Sequence, residues 1–152
     1  MLLSLFIEGG LQMNKENSCG MLFKRIHEGF EKRLNNDLKA ADLTMSQAAT
    51  LFILLSQSEK EMSLKELEHT LNVAQSTAAG IVCRLEQKEF VTSYGQQDDK
   101  RIKNVRITES GEIYSKRAEK ILECIEEECL KNLTKEEQKQ LQILLIKVCE
   151  AL

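Results

Sequence analysis

Not one proline interrupts the 152 residues and glycine occurs only seven times, so little in this chain breaks a helix once it has started. Long helices follow wherever a start signal occurs. A capping box sets a Ser or Thr against Glu or Gln three residues on, each side chain satisfying an orphan amide of the other. Thr44-x-x-Gln47, Ser63-x-x-Glu66 and Thr134-x-x-Glu137 fit this pattern, and Asn72-x-x-Gln75 is a weaker relative. These predict helix starts near 45, 64, 73–75 and 135. Thr108 before Glu109 supplies a fifth, since Thr caps and an early carboxylate suits the positive end of the helix dipole.

Leu22, Ile26, Phe30, Leu34, Leu38 and Ala41 recur every three or four residues, which predicts an amphipathic helix over about 18–40. Tyr114, Ala118, Ile121, Ile125 and Cys129 form a similar stripe, as do Leu141, Leu144, Leu145, Val148 and Leu152. Three such helices exceed what a small middle segment can cover. The expectation is that they bury against a second copy in a homodimer, with an intramolecular core as the alternative.

The middle reads differently. A short helix from 64 to 71, a tight Asn72-Val73 connection and a second helix over about 74–88 make a helix-turn-helix. Phe90 to Tyr94 is β-branched and aromatic, 95–103 is polar, and Val105-Arg106-Ile107 is again strand-like, which predicts a two-stranded hairpin. The expected fold is mainly α, a winged helix-turn-helix with long terminal helices.

A net charge of −3 excludes binding of nucleic acid by bulk charge alone, so any such contact depends on local placement. Residues 98–106 hold Lys100, Arg101, Lys103 and Arg106 against Asp98 and Asp99, while 109–140 carries nine acidic and six basic residues. The hairpin is therefore the positive end. A helix entering the major groove presents its N-terminal residues to base edges, here Gln75, Ser76 and Thr77. Ala78, Ala79 and Gly80 keep the next turn slim, which suits either close approach to a duplex or packing on neighbouring helices.

Other classes lack support. No apolar run reaches the roughly 18 residues of a membrane span, and Met1 is followed by neither a basic residue nor a cleavage site, so a cytoplasmic location is expected. Cys19, Cys83, Cys124, Cys129 and Cys149 have no Cys-x-x-Cys spacing and read as free thiols, with Cys83, Cys124 and Cys149 expected as small core residues. His27 and His69 do not combine with Cys124 and Cys129 at metal-ligand spacing. Nucleophile-elbow, phosphate-loop and metalloprotease patterns are missing, so neither an enzyme nor a cofactor is expected. Glu8-Gly9-Gly10 could be encoded by a ribosome-binding stretch spaced for initiation at Met13, making residues 1–13 an upstream extension; a packing arm is the alternative.

Leu43-Thr44-x-x-Gln47, Ser63-Leu64-x-x-Leu67, Gln75-Ser76-Thr77, Arg84-Leu85-Glu86-x-Lys88, Asp99-Lys100-Arg101 and Val105-x-Ile107-Thr108-x-x-Gly111 occur in this order. Together they resemble the MarR family of bacterial multiple-antibiotic-resistance regulators over about 14–152. The resemblance implies a homodimer with dimerisation helices at 14–43 and 108–152 and a DNA-binding lobe at 44–107. It implies a repressor that grips a pseudo-palindromic double-stranded DNA operator and is released by a small-molecule or redox signal. The implied DNA-contacting set is Gln75, Ser76, Thr77, Ala79, Gly80, Arg84, Lys100, Arg101 and Lys103, with Asp99 orienting Arg101 at the minor groove. Small anionic aromatic effectors are common among such regulators, and other branches sense oxidants through a cysteine near the start of the first helix, a place Cys19 occupies. The chain departs from the pattern at Glu89, where glycine commonly ends the recognition helix, at Glu68 and Ala74, and at Ser93 and Tyr94, where bases are usual. Those departures leave a second reading, a winged-helix dimer that serves as a protein-interaction module without reading DNA.

Overall fold

The computed structural model of the chain describes residues 17–95 and 103–151. Its elements run α1 (Cys19–Ala40), α2 (Met45–Ser56), β1 (Glu61–Ser63), α3 (Leu64–Leu71), α4 (Gln75–Gln87), β2 (Val91–Gly95), β3 (Lys103–Ile107), α5 (Glu109–Leu130) and α6 (Lys135–Cys149). Two compact units divide the chain, 1–32 and 33–152. No single described helix is long and apolar enough to cross a membrane.

The three Ser/Thr capping boxes form as the sequence predicts. Thr44, Ser63 and Thr134 each accept from the backbone N–H three residues on, and Gln47, Glu66 and Glu137 return the bond to the cap residue's own amide. The Ser63 hydroxyl and amide hold the Glu66 carboxyl below the usual carboxylate range, and Thr134 does the same for Glu137. Asn72 departs from expectation. It ends α3 in the left-handed region at φ 51°, a conformation Asn tolerates, and α4 starts from Ala74, whose methyl cannot cap.

The sheet also differs, since three antiparallel strands occur rather than two, in the order β1-β3-β2. Strand β1 was not legible because its three residues precede a cap and pair only at long range, Glu61 with Arg106 and Ser63 with Asn104. Val91, Val105 and Ile107 point into the core, joining Leu51 and Leu54 of α2, Leu67 of α3 and Leu85 of α4, all buried.

The start of α5 is fastened to this core by the Thr-x-x-Gly sequence. The Thr108 hydroxyl accepts from the Gly111 amide at 3.0 Å and donates to the Glu89 carbonyl at 2.7 Å. The Thr108 amide donates to the Phe90 carbonyl at 3.0 Å. Glu89, which precedes Phe90, has φ 61°, so the position that would suit glycine holds a carboxylate side chain under strain. Glu89→Gly is expected to stabilise the fold by about 1 kcal/mol, the left-handed penalty partly offset by greater freedom of the unfolded chain, as a rise in denaturation midpoint.

Along α1 only Leu34 and Leu38 are buried, while Leu22 and Ile26 of the same stripe are exposed. No residue of α6 is buried, and Ile143, Leu144, Leu145, Ile146 and Val148 stand exposed. The cysteine expectation fails in the single chain: Cys83, Cys124 and Cys149 are exposed, as are Cys19 and Cys129. Their helices bury neighbouring positions instead, Val82 beside Cys83 and Ile125 beside Cys124.

Candidate nucleic-acid interface

Helix α4 has two faces. Ala78, Ile81, Val82 and Leu85 are buried at helical spacing, which seats the helix on the lobe and turns the opposite side outward. That outer side carries Gln75, Ser76, Thr77, Ala79 and Arg84, all exposed, with Gly80 half-buried. The choice left open for the three small residues is thereby divided: Ala78 packs inward, whereas Ala79 lies on the open surface. Among the described residues a Cβ added at Gly80 would meet only the Arg84 guanidinium, at an ordinary 3.5 Å, so folding does not require glycine there. Because Ala74 provides no side-chain cap and its carbonyl takes the Thr77 and Ala78 amides, the Gln75 and Ser76 amides are the ones left at the positive end of the dipole.

Cys83 and Gln87 share this outer face and were absent from the expected set. Their spacing from Ser76 and Gly80, seven and eleven residues from the former, was the signal available to find them.

The positive charge of the hairpin is smaller than its residue count. Lys103 lies 3.6 Å from Glu86 of α4, and Glu86 also accepts from the Ser93 hydroxyl. Arg106 is engaged by Glu61: its Nε donates to Glu61 Oε2 at 2.5 Å, and Nη2 faces the same oxygen. The Tyr94 hydroxyl donates to that oxygen too, at 2.5 Å, and the Arg106 guanidinium lies 5.6 Å from the Tyr94 ring centroid. The hydrogen bond from Tyr94, with help from Arg106, holds the Glu61 carboxyl below its ordinary range, and the same carboxylate raises the Tyr94 hydroxyl. Arg84, by contrast, has no ion-pair partner among the described residues. The Asp99, Lys100 and Arg101 expectation lies outside the described residues.

Cys19 occupies the first residue of α1 and is exposed. His27 faces Glu31 of its own helix at 3.7 Å. Among the described residues no group of three or more His, Cys, Asp or Glu could hold a metal ion. An open groove at the α5–α6 turn is lined by Glu123, Glu126 and Glu127 with Lys131 and Lys135, so an anion entering it meets three carboxylates.

An inward-seated second helix, a short helix before it and an antiparallel hairpin after it define a winged helix-turn-helix protein. Residues 43–103, which contain both helices and the first strand of the hairpin, match the model of the MarR family. MepR, a transcription regulator of the Staphylococcus aureus multidrug efflux pump MepA, superposes with a TM-score of 0.79 at 22% identity, over 88% of this chain and 98% of its own. Wild-type MarR from E. coli in its apo form gives 0.75 at 26% identity, over 86% of this chain and 96% of its own. S. aureus MepR in complex with DNA gives 0.70 at 24% identity, over 89% of this chain and 98% of its own.

Proposed function

We propose that this chain is a dimeric DNA-binding transcriptional repressor that reads operator base edges with the outer face of α4. The observation that carries the reading is the division of α4 itself: four apolar residues are spent on seating it, and what remains outward is Gln75, Ser76, Thr77, Ala79 and Arg84, hydrogen-bonding, small or cationic. The DNA complex of the similarly folded MepR supports the assignment. Lys100, Arg101 and Lys103 form the wing contribution, with Asp99 orienting Arg101 toward a narrow minor groove.

Exposed apolar residues on α6, and separately at the start of α1, support dimerisation of two such lobes on a pseudo-palindromic operator. Release is assigned to a small anionic aromatic compound or to oxidation of Cys19. The acidic α5–α6 groove does not favour the anion, so such a compound would bind elsewhere.

Gel-shift titration with DNA flanking the chain's own gene tests the reading. Binding is expected to weaken steeply as salt rises, and Arg101→Ala is expected to weaken it by about tenfold or more while leaving the dimer intact on size exclusion. Binding that ignores salt, or none at all, contradicts DNA readout and favours the protein-interaction module.

A further inference from the structure

The Glu61–Arg106–Tyr94 cluster spans all three strands of the sheet and has no part in packing the core. Glu61 faces Arg106 across β1 and β3, while Arg106 faces Thr92 and Asn104 faces Tyr94 across β3 and β2, so these side chains share the outer face. One carboxylate oxygen takes the Tyr94 hydroxyl, Arg106 Nε and Arg106 Nη2. Arg106 is nevertheless half exposed, its side chain retaining 54% of its accessible surface. A half-exposed guanidinium on a wing strand is suited to phosphate, because Arg presents a planar fork of donors that fits phosphate oxygens.

We infer that Glu61 is an affinity-limiting residue that occupies Arg106 and so keeps it from contributing sequence-independent phosphate affinity. This rests on the DNA-binding reading. With net charge −3, withholding Arg106 leaves recognition to α4 and to the other wing cations. Phosphate contacts add affinity without sequence information, so each one removed lowers binding to random DNA and operator alike, and raises the share of binding energy that depends on base contacts. Tyr94 keeps the carboxylate in place from the third strand, which is why Glu61, and not a mobile surface acid, does this.

The test measures affinity for a random-sequence duplex and for the operator across a salt series, using the full chain and the variants Glu61→Gln, Arg106→Gln and the pair together. Glu61→Gln keeps an acceptor for Tyr94 but removes the charge. It is expected to tighten random-duplex binding by roughly five- to tenfold at 0.1 M salt and to steepen the salt slope by about 0.9, the value for one added phosphate contact. The double variant is expected to return to the wild-type slope, and Arg106→Gln alone to leave the slope unchanged. A loss of sheet stability would lower all affinities without steepening the slope, so the slope separates charge release from structural damage. Wild-type binding to DNA with an unchanged slope in Glu61→Gln overturns the inference alone. A fall in slope for Arg106→Gln shows that Arg106 already contacts phosphate and overturns it likewise. Absence of DNA binding by the wild-type chain overturns both the inference and the reading beneath it.

Discussion

Gly111→Ala is expected to cost the fold about 3–5 kcal/mol, enough to remove much of the 5–15 kcal/mol that holds a typical domain together. A Cβ at this position would stand 2.0 Å from the Phe90 carbonyl oxygen and 2.7 Å from Ile107 Cγ1. Neither can yield cheaply. The Phe90 carbonyl is fixed by the Thr108 amide, and Ile107 is buried in the core with its own amide donating to the Lys60 carbonyl. Relief requires the first turn of α5 to lift from the lobe, which gives up the Thr108 staple to Glu89 and Phe90 and the tilted Phe90–Tyr114 ring contact at 4.1 Å. Chemical denaturation checks the expectation; a loss under about 1 kcal/mol would show that α5 does not begin against Phe90.

Gly80 predicts the opposite pair of effects. Gly80→Glu is expected to leave the fold intact or slightly more stable and to weaken operator binding by about 100-fold. Among the described residues only Arg84 comes within 4 Å of a Cβ at position 80, and glycine inside a helix costs about 0.5–1 kcal/mol against better helix formers. A Glu four residues before Arg84 adds an i,i+4 pair of about 0.2–0.5 kcal/mol. The same pair occupies the Arg84 cation of the α4 face, and the new carboxylate faces phosphate and base edges, where like charge costs several kcal/mol. Thermal melting together with fluorescence anisotropy on labelled duplex separates the two effects. Retained affinity in a folded variant would place the nucleic acid away from this face.

These two glycines also show where sequence reading succeeds and where it stops. Thr108-x-x-Gly111 was visible as a motif, and the helix starts at 45, 64, 109 and 135 were visible as caps, because caps are local and each box involves residues three apart. The side-chain contacts that decide the hairpin's charge were not. Glu61 meets Arg106 across 45 positions, and Glu86 on helix α4 meets Lys103 on β3, so four basic residues in a row of nine overstated the available positive charge. Asn72 was misread for a related reason: the residue types that cap a helix start also tolerate the left-handed end of the preceding helix, and only the backbone tells the two apart. The stripes on α1 and α6 were legible as apolar faces; what covers them is not written in periodicity, since a core and a subunit interface use the same residues.

The most direct measurement of the proposed function is a hydroxyl-radical footprint of the chain on the DNA flanking its gene. Two paired lobes reading successive half-sites predict two protected blocks whose centres lie about one helical turn, or a whole multiple of it, apart on one face of the duplex, both lost with Gly80→Glu. A single block, protection with no repeat, or two blocks unchanged by that substitution would contradict readout by α4 from a dimer.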